Sequence, residues 1–260
     1  MPKRGIFMIV FAARSGSTFL ISILNQHDNI MCYPEVLQHK TPDQQKIFLE
    51  GMVRGDKVEK LDGRRRVWRT CRNRAPMFPL FELKSLFHRP DWIGLKTQLG
   101  QISDRAQFRA IAEENQFRII QLSRRNPVAT AVSALNAHRL KEKFSHHNAK
   151  AATERLGALH IDREDFDLML RKREMQKSRM GEFVSSINTP VHRCYYEDML
   201  EDRGQFMGGI FDFLDIPMEQ VEYKDIIFKN TPKRLDEAIL NFDEIRDAYK
   251  GTEFEKYFAS

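Results

Sequence analysis

The run Ile6-Phe-Met-Ile-Val-Phe11 is apolar at every position. A strand buried on both faces reads this way, whereas a half-exposed strand alternates. The run gives way to the polar turn Ala12-Ala-Arg-Ser-Gly-Ser-Thr18 and then to Phe19-Leu-Ile-Ser-Ile-Leu24, predicting a helix over 17–26. The same order recurs later: Phe117-Arg-Ile-Ile-Gln-Leu122, which reads as another buried strand, a polar turn Ser123–Asn126, and a helical stretch over 128–140 whose first turn suits Pro127. Between them the pattern predicts a short strand near Ile30–Cys32, a strand at Trp92–Lys96 and an N-capped helix opening at Ser103. Further on, Phe166, Met169, Leu170, Met180, Phe183, Val184 and Ile187 fall near helical spacing and predict a long amphipathic helix over 163–187. A last strand follows at Val191–Tyr196, with helices at 203–215 and 243–249. Alternating strands and helices predict an α/β fold, a three-layer α/β/α arrangement around a central parallel sheet.

Two stretches break this rhythm. From Pro34 to about Pro90 the chain is polar, helical in pieces, and interrupted by Pro42, Pro76, Pro79 and Pro90. The segment 141–160 is charged and contains His146-His147, two neighbours that point to opposite sides of most backbones and therefore predict no metal site. The expectation is one domain over 1–260, with 36–90 and 141–160 as insertions that build a pocket and a lid. A chain of 260 residues buries one substantial core.

Composition narrows the class. Apolar residues make up 42% and charged residues 30%, as in ordinary globular proteins, and no apolar run reaches the ~18 residues of a membrane span. The start reads as a core strand, not a leader peptide, which predicts a cytoplasmic protein. Cys32, Cys71 and Cys194 are far apart and lack metal-ligand spacing, which argues against a disulfide framework or structural zinc. The net charge of +6 is weak support for nucleic-acid binding, and no nucleic-acid partner is expected. Six arginines between 64 and 74, with Trp68 among them, form either an anion-binding patch or a solvated loop.

The turn after the first strand carries the chemistry. A strand–turn–helix junction aims backbone N–H groups and the positive end of a helix dipole at one point, and such a point binds phosphate. Arg14 adds a fixed charge, and Ser15, Gly16, Ser17 and Thr18 complete a P-loop-like cradle. With Gly16 aligned on the second glycine of a kinase loop, Ser17 stands where the phosphate-gripping lysine belongs, which disfavours Mg²⁺-dependent phosphoryl transfer. At the second junction Ser133 lies eight residues after Arg125, about two helical turns on, so that one phosphate between them is expected.

The form Arg14-Ser-Gly-Ser-Thr18, followed by Arg125-x7-Ser133, resembles the 5′-phosphosulfate loop and the 3′-phosphate motif of sulfotransferases that use 3′-phosphoadenosine 5′-phosphosulfate. Arg14-Ser-Gly-Ser-Thr-Phe-Leu, Asn25-Gln-His27 and Pro34-Glu35 resemble the opening of tyrosylprotein and bacterial carbohydrate sulfotransferases. Arg124-Arg-Asn126, Leu235-Asp236, Asn241-Phe242 and Tyr257-Phe258 are similar to the carbohydrate enzymes of the Nod-factor and lipopolysaccharide type, and Tyr195-Tyr-Glu-Asp198 to the family's late strand and turn. The resemblance implies a bacterial-type sulfotransferase acting on a glycan or glycolipid hydroxyl, without a metal. It implies Lys96 and Arg14 as catalytic cations and Glu35 as the general base. Small-molecule sulfotransferases resemble the chain at Lys96-Thr97 but continue with a histidine base; here the next residue is Gln98, which takes no proton at neutral pH. It further implies Tyr196 at the nucleoside and Lys229 and Lys233 in a late basic loop at the 3′-phosphate, with Arg124 either supporting Arg125 or binding the phosphate itself. A protein tyrosine or small lipid hydroxyl as acceptor, a nucleotide-dependent kinase, and a non-catalytic basic binding module stay open on the sequence alone.

Overall fold

A computed structural model of the chain describes residues 5–56, 90–145, 152–217, 231–232 and 234–259. Within them the strands are β1 (Gly5–Phe11), β2 (Ile30–Pro34), β3 (Trp92–Thr97), β4 (Arg118–Ser123) and β5 (Val191–Tyr195). The helices in chain order are α1 (Ser17–Leu24), α2 (Pro42–Arg54), α3 (Arg105–Glu114), α4 (Pro127–Phe144), α5 (Arg163–Ser185), α6 (Tyr196–Glu201), α7 (Arg203–Leu214), α8 (Leu235–Ala238) and α9 (Phe242–Ala248). The five strands form one sheet in the order β2-β3-β1-β4-β5, and every pairing is parallel.

The unbroken apolar run of β1 is explained by its place: it is the central strand, and Phe7, Met8, Ile9 and Val10 are all fully buried. Register assigns the two faces. Ile9 pairs with Lys96 and with Ile120, and Ile120 pairs with His192, so these four share one face. Helices α1 and α7 cover that side, with the His27 ring after α1 5.1 Å from Phe211 and the His192 ring 5.4 Å from Phe213. Val10, Thr97 and Gln121 share the opposite face, and α3 and α5 cover it, joined by the Phe108–Phe183 contact at 6.0 Å. The expected three-layer arrangement follows. A second apolar cluster joins α4, the first half of α5, α8, α9 and the C-terminal turn, with Phe166 packed edge-on to Tyr249 at 5.6 Å.

Chain order places β1 where connections change direction. β2 and β3 lie to one side of it and β4 and β5 to the other. The carboxyl ends beside such a strand form the crevice in which open α/β sheets hold ligands.

Several elements differ from the sequence reading. α2 is a regular helix of 13 residues with Pro42 in its first turn. It starts from a reciprocal cap, in which Gln44 N donates to Thr41 Oγ1 at 3.3 Å and Thr41 N to Gln44 Oε1 at 3.1 Å. α4 runs on to Phe144, into the stretch expected to be a loop, because Lys141 and Lys143 favour a helix C-terminus and Ser145 closes it in a left-handed conformation. The last strand stops at Tyr195, and Tyr196 instead opens α6, whose first turn carries Glu197 and Asp198. The remainder of the 36–90 insertion from residue 57 to 89, with the arginine cluster and Cys71, and the pair His146-His147 lie outside the described residues.

One buried amide ties this scaffold to the site. At the end of α1, Asn25 Nδ2 donates to Cys32 O at 3.0 Å and its Oδ1 accepts from Cys32 N at 2.7 Å, fixing β2 three residues before Glu35. Asn25→Ala leaves two buried peptide groups without partners. We expect a loss of about 2–4 kcal/mol in urea unfolding; a loss below about 0.5 kcal/mol would mean that water replaces the amide.

Candidate active site

The turn between β1 and α1 is held by two left-handed residues, Arg14 at φ 69° and Gly16 at φ 79°. Gly16 occupies the N-cap position, so no side chain caps α1, and its first turn is left to whatever binds in front of it. A Cβ on Gly16 would stand 2.2 Å from the Tyr196 ring, so glycine is needed for its conformation and for the close approach of that ring. Inside the turn the Ser15 hydroxyl is buried and meets no partner among the described residues.

Lys96 enters from the neighbouring strand. Its side chain is 1% exposed. The ammonium donates to Thr18 Oγ1 at 2.7 Å and to Ser17 Oγ at 3.2 Å, lies 3.2 Å from Glu35 Oε1, and sits 4.9 Å over the Phe11 ring. The start of α1 and the carboxylate after β2 therefore meet at one nitrogen.

Glu35 follows directly on β2, with its N–H donating to Lys96 O at 3.0 Å and its backbone at φ 35°. A non-glycine residue at positive φ is strained, and such strain collects at functional sites. Its carboxylate is 9% exposed. The second oxygen accepts from Gln101 Nε2 at 2.9 Å. Gln101 is fixed in turn: its carbonyl accepts from the buried Gln45 Nε2 at 2.6 Å, and its Oε1 accepts from Gln98 N at 2.9 Å. Neither Gln101 nor Gln45 was singled out from the sequence. The only signal was local, since Gln98 and Gln101 form the capping pattern of the short 3₁₀ turn after β3.

The β4 junction differs from the expected geometry. Ser133 meets Arg14, whose Nε donates to Ser133 Oγ at 3.2 Å, and Arg125 is not brought to it. Arg125 is half-exposed. Its guanidinium forms a forked pair with Asp198, with one bond to Oδ2 at 2.8 Å, and stacks 4.2 Å over Tyr195. Arg124 is the more enclosed of the two: its Nε donates to Glu197 Oε1 at 3.3 Å and its guanidinium lies 5.2 Å over Tyr196. The physical reason is electrostatic. Glu197 and Asp198 stand opposite the junction at the start of α6, and Glu197 also accepts from Arg125 N at 3.0 Å. Carboxylates thus occupy both arginines. Lys229 and Lys233 lie outside the described residues; between them, Thr231 Oγ1 accepts from Asn136 Nδ2 at 3.3 Å, one turn beyond Ser133.

Electrostatics follow burial. The Arg14 guanidinium is lowered to about 10, first by burial and then by Arg124 and Arg173, and it stays charged at neutral pH. The Tyr196 phenol is pushed up, mainly by burial, and remains protonated. Burial pushes the Cys32 thiol well up, and the Cys194 thiol up to about 12, so both are unreactive apolar fillers. Among the described residues no helix is long and apolar enough to cross a membrane and no group of metal-ligating side chains gathers.

The α/β fold thus sets an arginine-bearing turn, without a side-chain cap on α1, at the switch point of a parallel sheet, beside a buried lysine–glutamate pair. A sulfotransferase domain matches residues 5–235, and the chain belongs to the sulfotransferase family. It is similar to Nodulation protein H of Rhizobium meliloti, 21% identical over 262 residues, covering 99% of this chain and 96% of that protein. Among solved structures it is similar to the sulfotransferase domain from the curacin biosynthetic pathway, at 15% identity and a TM-score of 0.49, covering 84% of this chain and 76% of that one. It is also similar to mouse sulfotransferase SULT7A1 complexed with PAP, at 13% identity and a TM-score of 0.43, covering 98% and 88%.

Gly16→Ala forces both a left-handed alanine and a displaced Tyr196 ring, for which we expect a loss of about 2–5 kcal/mol in chemical unfolding. In a Tyr196→Ala background the same change should cost at least about 1 kcal/mol less, because the steric part is gone. Equal costs in the two backgrounds would mean that the turn does not pack against this ring.

Proposed function

We propose that the chain moves a sulfuryl group from 3′-phosphoadenosine 5′-phosphosulfate to a saccharide hydroxyl, with Glu35 as general base. The observation that carries this reading is the arrangement of Glu35 and Lys96. A carboxylate held by Gln101 stands on the ammonium that also holds Ser17 and Thr18 of the turn. The unpartnered Ser15 hydroxyl and the uncapped start of α1 fit a bound phosphate, and Arg14 with Ser133 extends the positive surface towards α4.

The bound donor supplies an activated sulfuryl group and a bisphosphate leaving group. The chain's residues do the remainder. Glu35 takes the proton of the acceptor hydroxyl on its carboxylate as the new O–S bond forms. Lys96, held between Glu35 and the start of α1, meets the negative charge that develops on the departing oxygen, and Ser17 and Thr18 keep the ammonium on line. Arg14 neutralises the 5′ side. Arg124 or Arg125 holds the 3′-phosphate, exchanging a carboxylate of α6 for it, with Ser133, Lys229 and Lys233 around it and Tyr196 against the nucleoside. The saccharide as acceptor is supported by full-length similarity to a nodulation protein and by the carbohydrate-enzyme motifs Arg124-Arg-Asn126 and Asn241-Phe242.

Two experiments test this reading. Glu35→Gln keeps the size of the side chain but not its basicity. Adenosine 3′,5′-bisphosphate affinity should stay within about threefold, while transfer falls by about 10²–10⁴. Transfer is followed with a panel of N-acetylglucosamine oligosaccharides, a tyrosine peptide and a long-chain alcohol. Unchanged turnover would remove Glu35 from the chemistry, and a preference for the peptide or alcohol would move the acceptor to those classes. The second test is pH. Anion binding requires the charged form of Arg14, whose affinity for its proton is lowered to about 10. Bisphosphate affinity should therefore be flat from about pH 7 to 9 and weaken as the pH passes about 10; a midpoint near pH 8 would point to another group.

A further inference from the structure

Arg173, on α5, belongs to none of the motifs used so far, yet α5 packs against α4, which carries the Ser133 that Arg14 reaches. Its Nη1 donates to Gln176 Oε1 at 2.8 Å, one turn further along the helix. Its Nε is buried and has no acceptor among the described residues. Burial alone pulls its proton affinity down, with no carboxylate contributing. It stands near enough to Arg14 for its charge to weaken that guanidinium as well.

Physical chemistry makes this arrangement unusual. A guanidinium shielded from water normally faces a carboxylate, because an uncompensated charge in low dielectric is costly. An arginine that merely lays its stem on a helix would keep its nitrogens in water, and here the Nε is shielded. The other two arginines of the site show the ordinary solution, since Arg124 has Glu197 and Arg125 has Asp198. Arg173 has a neutral amide. Two guanidinium groups brought together, one with only that amide, match a tetrahedral oxyanion, which accepts from both at once.

We propose that Arg173 is an anion ligand of the active site, which with Arg14 grips a phosphate- or sulfate-class oxyanion bound between the β1–α1 turn and α5. The inference rests on the transfer reading above, because the oxyanion comes either from the nucleotide or from an acidic group of the acceptor.

The test compares wild type with Arg173→Gln, Arg173→Lys and Gln176→Met by calorimetry with adenosine 3′,5′-bisphosphate at two salt concentrations, and by KM for donor and acceptor. Arg173→Gln should weaken the bisphosphate at least tenfold and flatten its salt dependence, with Arg173→Lys recovering part of both; this identifies a phosphate of the nucleotide. Unchanged bisphosphate affinity with a tenfold rise in KM for the phosphosulfate donor or for the acceptor supports the same role towards the sulfonate or an acceptor acid. Gln176→Met removes the amide that Arg173 meets and keeps its charge, so affinity and KM should stay within twofold. Should Gln176→Met lose as much as Arg173→Gln, or should Arg173→Gln leave both Kd and KM within twofold, Arg173 is structural and the proposal fails. Should Arg173→Gln fail to fold, Arg173→Lys decides: a loss of affinity of several-fold or more with an intact melting transition supports the guanidinium as ligand, and Kd and KM both within twofold of wild type contradict it. Wild-type protein that binds no bisphosphate would instead remove the donor reading, and this inference with it.

Discussion

The ammonium of Lys96 is the constraint around which the site is built. It is buried under the start of α1, and its bonds reach the two hydroxyls of the β1–α1 turn and the carboxylate of Glu35. Removing one partner from such a pair leaves an uncompensated buried charge, at a cost of about 3–5 kcal/mol. The same bonds that position the start of α1 also fix the separation between the Glu35 carboxylate and the Lys96 ammonium. Two features of the scaffold hold that separation: the parallel β2–β3 register, which pairs Pro34 with Lys96, and the Asn25 bridge from α1 to Cys32.

Around this fixed centre the positive charges are arranged with different degrees of commitment. Arg124 and Arg125 rest on carboxylates at the start of α6. Arg14 reaches across to Ser133 and is destabilised by its own burial and by two neighbouring arginines. A site whose cations repel one another favours a polyanionic ligand, because the ligand removes a cost already present in the fold. Glu197 and Asp198 temper that cost at the β4 junction.

Much of the scaffold was legible in the sequence because the period of the apolar positions changes with the element. The all-apolar β1 announces a strand buried on both faces, Ile119, Ile120 and Leu122 mark β4, and the 163–187 spacing announces α5 to within two residues at its end. The turn was legible from the strand–turn–helix order and the form Arg14-Ser-Gly-Ser-Thr18, whereas the Tyr196 ring packed on Gly16 was not. What could not be read was pairing across the chain. Arg125 and Ser133 are spaced to share a phosphate, yet their partners are set by Asp198 and Arg14, residues distant in sequence. Gln101, Gln45 and Arg173 escaped for the same reason: an amide or a guanidinium on a helix has no local pattern that distinguishes a solvated group from a buried one. α6 was missed because a six-residue helix following a strand without a break leaves no periodic trace.

The most direct measurement is thermal unfolding of the wild-type chain with adenosine 3′,5′-bisphosphate, compared with 5′-AMP and with ATP and Mg²⁺. A ligand at one hundred times its Kd stabilises a fold by about 2.7 kcal/mol, a readily visible shift. Stabilisation specific to the bisphosphate and lost in Arg14→Ala is the expected result. A larger shift with ATP and Mg²⁺, or none with the bisphosphate, would contradict a site built to hold a phosphosulfate donor against Lys96 and Glu35.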